Sequence, residues 1–137
     1  MAYYFAYGSN TNGYQMARRC PDARWVGTAT LRGWELKERL YADIEPMPCA
    51  RVYGVVYQIS MSDRLNLDRY EGVPTTYEPI NLAVWVNGHG WKSCLTYVMT
   101  PEARAKRDGK PYPQEYRLRC SHGARMNMIP DAFSKAS

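Results

Sequence analysis

YEPINLAVWVNGHGWKSCLTYVM, residues 77–99, is the stretch whose reading decides the fold. Ile80, Leu82, Val84 and Val86 alternate onto one face, the period of a strand with a single buried side. Asn87-Gly88 then supplies the dipeptide of a tight hairpin turn, so residues 91–99 return antiparallel.

Working outward, further strands are expected at 3–7, 24–31, 34–40 and 51–59, the last rich in valine and tyrosine. After the first strand, Asn10, Thr11 or Asn12 can cap a short helix that runs to about Arg19 and is stopped by Pro21. A second short helix is expected within SMSDRLNLDRYEGVP, residues 60–74, capped by Ser60 or Ser62 and ended by Gly72 and Pro74. Beyond the hairpin, residues 101–113 hold three prolines and a glycine among many charges and read as an exposed excursion. A segment around Tyr116 and a final short helix after Pro130 follow. The order is α+β, mostly strands with helices inserted, and the sheet is expected to curl toward a small barrel.

A chain of 137 residues with 45% hydrophobic side chains suits one domain, residues 1–137. No run approaches the roughly 20 apolar residues of a membrane span, and the start lacks a basic-then-apolar secretion signal. A soluble cytoplasmic protein is the expectation. Cys20, Cys49, Cys94 and Cys120 form no CxxC pair, and neither His89 nor His122 stands at a ligand spacing from them. They read as reduced, buried small hydrophobes, with no metal site expected. The formal charge is +5, and thirteen of the eighteen basic residues are arginine, the side chain suited to carboxylates and phosphates. These arginines are scattered, with no run longer than Arg18-Arg19, which fits a solvated surface better than a nucleic-acid stripe.

Glu71 stands out on physical grounds. It is expected in the last turn of its helix, immediately before the Gly72 stop, where the helix dipole disfavours a carboxylate and raises its pKa. Leu65, Leu67, Tyr70, Val73 and Tyr77 could desolvate it and make it a proton carrier near neutral pH. The same residues also fit a Glu71 that points into water, with Asp68 paired to Arg64 one turn earlier. Tyr7-Gly8-Ser9-Asn10 lies where a strand hands over to a helix, so its backbone N–H groups can converge on a carboxylate or an oxyanion. It equally fits a plain turn and cap. Among the twelve tyrosines, Tyr77, Tyr97 and Tyr116 are candidates for ligand contact as well as for packing.

Taken in order, YFAYGSN (4–10), RCPDARWVGTATLRGWEL (19–36), ADIEP (42–46), VYGVVYQIS (52–60) and LDRYEGVPTTYEP (67–79) resemble the gamma-glutamylcyclotransferase family. KSCLTYVM (92–99), PYPQEYRLRCSHGA (111–124) and IPDAF (129–133) continue the resemblance over nearly the whole chain. It implies a small mixed β-barrel with flanking short helices, and a cavity where the YGSN loop meets the end of the LDxxEG helix. It also implies a reaction, in which the α-amine of a gamma-glutamyl group attacks its own γ-carbonyl, closes a 5-oxoproline ring and expels an amine. By the same resemblance Glu71 is the general base and acid and Tyr7, Gly8, Ser9 and Asn10 cradle the gamma-glutamyl moiety. Tyr77, Tyr97 and Tyr116 line the pocket, and no metal or cofactor is required. Thr11 and Lys37-Glu38-Arg39 depart from the family's apolar or aromatic pattern and leave the leaving-group side open. Arg104, Lys106 or Arg107 could meet an anionic leaving group there. The expected partner is a small gamma-glutamyl substrate, with no membrane and no nucleic acid, and a homodimer is left open. The competing readings are a non-catalytic module binding an anionic metabolite or nucleic acid, and an accessory enzyme that removes a gamma-glutamyl protecting group from a biosynthetic intermediate.

Overall fold

The 77–99 stretch forms the hairpin of β4 (Tyr77–Val86) and β5 (Gly90–Met99), in register from Tyr77 opposite Met99 to Val86 opposite Gly90. This is a computed structural model, and it describes residues 1–134. Three more strands, β1 (Ala2–Ala6), β2 (Arg24–Arg39) and β3 (Tyr41–Ile59), join the hairpin in a closed barrel of order β1-β3-β2-β4-β5. All pairings are antiparallel except β1 with β5, where Tyr3 and Tyr4 lie parallel to Cys94 and Leu95 and close the ring. The fold is therefore α+β, a small mixed barrel.

Two expected strands, 24–31 and 34–40, are one strand, β2, with a register shift between Arg32 and Trp34 where they meet. β3 starts ten residues before the expected 51–59 and runs through Pro46 and Pro48. Its first part pairs with β2 alone, leaving one edge on which a proline interrupts no ladder. That edge also exposes Cys49, so three of the four cysteines are buried and the fourth is not.

A single 3-10 turn at Ser9–Thr11 follows β1 and leads into α1 (Gly13–Arg19). Asn12 caps α1, its side-chain oxygen accepting from the N–H groups of Tyr14 and Gln15. In α2 (Met61–Tyr70) the cap is Ser60, in a reciprocal capping box with Asp63. The expected excursion at 101–113 is in its first half a helix, α3 (Pro101–Arg107), because Thr100 caps it and Pro101 occupies a first-turn position that needs no N–H donor. The segment around Tyr116 is the thirteen-residue α4 (Gln114–Met126). No helix follows Pro130 up to residue 134; Asp131 instead accepts from the N–H groups of Phe133 and Ser134, a local turn that seats Phe133 in the core.

Alternation along the strands divides the apolar side chains between two cores. Phe5, Leu31, Ile44, Val52, Val56, Val84 and Val86 pack in one, closed by Tyr112, Cys120 and Phe133. Tyr4, Ala6, Val55, Tyr57, Ile59, Leu95 and Tyr97 form the other, against Met16 of α1, Leu67 of α2 and Ala103 of α3. This second core holds the C-terminus of α2 against the barrel wall beside the end of β1. Among the described residues, no helix is long and apolar enough to cross a membrane.

Candidate active site

Glu71 is the C-cap of α2, and Gly72 follows it with φ +68. The N–H of Gly72 bonds to Arg69 O at 3.1 Å and that of Val73 to Asp68 O at 3.0 Å, the paired bonds of a Schellman stop. Only a residue at ease with positive φ makes this turn, and it fixes the direction in which Glu71 leaves the helix.

The side chain is half-buried on the wall of a cavity of about 480 Å³. Tyr7, Gly8, Ser9, Asn10, Tyr77, Tyr97 and Tyr116 border the same cavity, so all eight residues singled out in the sequence are brought together. Burial lifts the Glu71 carboxyl to about 7, against the opposing pull of the Arg19 guanidinium. Leu65 and Tyr70, expected to supply the desolvation, are themselves largely exposed. Tyr70 and Tyr77 nonetheless border the cavity beside Glu71, and residues distant in sequence join them, among them Tyr4, Thr96 and Tyr97 from the barrel wall. The alternative Asp68–Arg64 pair is also present at 3.2 Å, but it does not draw Glu71 into solvent.

The loop after β1 owes its shape to space. Gly8 has φ −114, which any residue adopts, but a Cβ there would stand 2.8 Å from Tyr116 Oη and 3.2 Å from Ala42 Cβ. Among the described residues, the backbone N–H groups of Gly8, Ser9 and Asn10 have no acceptor. The side chains are occupied: Asn10 donates to Tyr4 Oη at 3.0 Å and accepts from Gln15 and Arg19, and Ser9 Oγ accepts from Gln15 at 2.7 Å. Fixed side chains and open main-chain donors are what a site for developing negative charge needs.

The three tyrosines are walls with committed hydroxyls. Tyr77 donates to Ala42 O at 2.7 Å, Tyr97 donates to Asp68 at 2.6 Å, and Tyr116 Oη accepts from Ala42 N at 3.0 Å. Burial and then the Glu71 charge push the Tyr77 phenol well above its ordinary value, and burial does the same for Tyr7, Tyr97 and Tyr116. All of them stay neutral at physiological pH, while Glu71 titrates within that range.

Ala42 is the hub of this wall, and the residue after it holds it in place. Asp43 is fully buried, accepting from Met99 N at 2.9 Å and pairing with Arg39 at 2.8 Å. Arg39 also pairs with Glu45 and Asp108. Lys37-Glu38-Arg39 therefore does not face the cavity: Arg39 supports it from behind, and Glu38 binds Arg117 at 2.7 Å. Thr11 likewise turns inward, its hydroxyl donating to Gly8 O at 2.8 Å. Cavity residues that the sequence reading missed include Tyr4, Arg19, Tyr41, Thr96 and Arg119, which reach it from β1, α1, β3, β5 and α4. No short motif joins them. Among the described residues, no group of His, Cys, Asp and Glu is placed to hold a metal ion.

The family model described as gamma-glutamyl cyclotransferase, AIG2-like, matches residues 4–118. A gamma-glutamylcyclotransferase of Bos taurus is 30% identical over 145 residues, covering 96% of this chain and 74% of that protein. A solved gamma-glutamyl cyclotransferase superposes with a TM-score of 0.79 at 26% identity, over 94% of this chain and 81% of the other. The structure of YkqA from Bacillus subtilis gives 0.76 at 27%, over 96% of this chain and 51% of that one.

Proposed function

This chain belongs to the gamma-glutamyl cyclotransferase, AIG2-like family, and we propose that it releases 5-oxoproline from a gamma-glutamyl amino acid or gamma-glutamylamine. The observation that carries this reading is the Glu71 carboxyl, lifted to about 7 beside the open N–H groups of Gly8, Ser9 and Asn10 in one cavity.

The substrate's α-amine has an ordinary pKa near about 8, so at neutral pH it must lose a proton before it can attack. The Glu71 carboxylate takes that proton. The amine nitrogen bonds to the γ-carbonyl carbon, and the carbonyl electrons move to oxygen, where the backbone N–H groups of residues 8–10 meet the charge. One such donor is worth on the order of 3 kcal/mol in a reaction of this kind. Glu71 then returns the proton to the leaving nitrogen, the carbon–nitrogen bond breaks, the carbonyl re-forms in the five-membered ring, and the freed Glu71 carboxylate takes the second proton from the ring nitrogen and passes it to the departing amine. A group whose pKa lies near the working pH suits both transfers and contributes about 10² to 10⁴ in rate.

The attack is intramolecular, so holding the substrate folded supplies much of the remainder. The rigid walls of Tyr7, Tyr77, Tyr97 and Tyr116 support that role, since their hydroxyls are tied to the protein and their rings define the space. The test is a panel of gamma-glutamyl amino acids, gamma-glutamylamines and glutathione, with 5-oxoproline measured by chromatography. Product from at least one member is expected; none from any member overturns the proposal.

A further inference from the structure

Charged side chains on the cavity wall are unevenly matched. Arg19, Arg107 and Arg119 line it, against the carboxyl groups of Glu71 and Glu115. Among the described residues, none of these three arginines lies within salt-bridge distance of a carboxylate. An arginine left without a counterion on a partly enclosed wall suits an anionic ligand.

Arg19 and Arg107 occupy different parts of that wall. Arg19 belongs to the reacting end: its guanidinium bonds to Asn10 Oδ1 at 3.2 Å, stacks 4.5 Å from the Tyr70 ring centroid, and is the cation whose charge Glu71 feels. Arg107 sits at the last residue of α3, over the Tyr41 ring at 5.5 Å. Tyr41 in turn meets Tyr116 edge-on, with centroids 4.9 Å apart, and Tyr116 borders Gly8. Arg107 thus reaches the cavity from α3, on the side of Tyr41 and Tyr116, and its charge acts on the Tyr77 phenol.

Of the three basic residues that the sequence offered for an anionic leaving group, Arg107 alone lines the cavity. Arg104 turns toward the buried Asp43, at 3.8 Å, and Lys106 pairs with Glu102 at 3.7 Å on the surface. Among the described residues the Arg107 guanidinium makes no hydrogen bond, so stacking on Tyr41 orients it while its edge donors stay open. That edge matches the two oxygens of a carboxylate.

We propose that Arg107 is a specificity-determining residue that binds a carboxylate on the leaving half of the substrate, so that the enzyme selects gamma-glutamyl amino acids over gamma-glutamylamines. This rests on the cyclotransferase reading above. Arg119, on the same wall, adds to the field that draws the anion in. A leaving amino acid with a second carboxylate, such as glutamate, is accepted at least as well as alanine.

The test compares gamma-glutamyl-alanine with gamma-glutamyl-ethylamide, which differ by that one carboxylate. In the unmodified protein, kcat/KM favours the alanine compound by about tenfold or more, mainly through KM, as expected for a charge-assisted contact. In Arg107→Ala the ratio falls to about one, and Arg107→Lys, which keeps the charge but not the fork, gives an intermediate ratio. A ratio near one in the unmodified protein, or a ratio unchanged in Arg107→Ala, overturns the subsite while leaving the cyclotransferase reading standing. If neither compound nor any other member of the substrate panel yields 5-oxoproline, that reading fails, and calorimetric titration of both compounds into Glu71→Gln and Glu71→Gln/Arg107→Ala decides the subsite separately. Tighter binding of the alanine compound that vanishes with Arg107 supports it, and equal binding overturns it. Circular dichroism checks that each variant folds.

Discussion

Replacing Glu71 by glutamine should make the protein more stable at alkaline pH while it disables the site. Burial lifts the Glu71 carboxyl from 4.5 to about 7, so between these values the folded chain holds a proton that the unfolded chain has released. Stability is then lost as pH rises through that window, and the full penalty is present above it. At about 1.4 kcal/mol per pK unit the penalty exceeds about 3 kcal/mol near pH 8, and solvent entering the cavity reduces it to about 2 kcal/mol. Glutamine carries no charge to desolvate and keeps the shape. Urea unfolding of both proteins at pH 5 and pH 8 measures the effect. Glu71→Gln should gain about 2 kcal/mol on the parent at pH 8, roughly 7 °C in Tm for a domain of this size, and much less at pH 5. A gap that is the same at both pH values, or a variant less stable at pH 8, would refute the claim that Glu71 is desolvated.

Three further outcomes follow from the same geometry. Gly8→Val should cost about a hundredfold or more in kcat/KM, because its Cβ would collide with Tyr116 Oη at 2.8 Å and push the loop donors off line; Ser9→Ala, which removes only a hydroxyl, should cost about tenfold at most, and steady-state kinetics compares the two. Asp43→Asn should destabilise by about 2 kcal/mol, since it removes the fully buried carboxylate of the Arg39 cluster and leaves only the more exposed Glu45 and Asp108 to balance that charge; calorimetry checks this, and a loss under about 1 kcal/mol counts against the supporting role. The pH profile of kcat/KM should show an acid limb with a midpoint near the Glu71 value of about 7, because the free enzyme must hold the carboxylate form to accept the amine proton.

Local signals read correctly wherever the sequence determines structure over short spans. The alternation and Asn87-Gly88 turn of 77–99, the Ser60 cap and the Gly72 stop each depend on a few adjacent residues. Longer-range effects were hidden. β3 passes through Pro46 and Pro48 because its early part pairs on one side only, a fact of topology that the prolines themselves argue against. Residues 101–107 looked like loop because Pro101 and many charges obscured a helix that Thr100 caps. At the site, the position of Glu71 at a helix end and the nearby Tyr70 and Tyr77 were legible, but Leu65 is exposed, and the barrel residues Tyr4 and Thr96 that complete the enclosure lie far off in sequence. Arg107 was one of three basic candidates with Arg104 and Lys106, and Arg19 was one of thirteen scattered arginines, until folding placed both on the cavity wall.

The most direct measurement is 5-oxoproline release from gamma-glutamyl-alanine at pH 8 by the parent protein and by Glu71→Gln, with both shown to be folded. Turnover by the parent and a loss of about 10² to 10⁴ in the variant is the result expected of a carboxyl group that moves the proton. Equal turnover by the two proteins would contradict it.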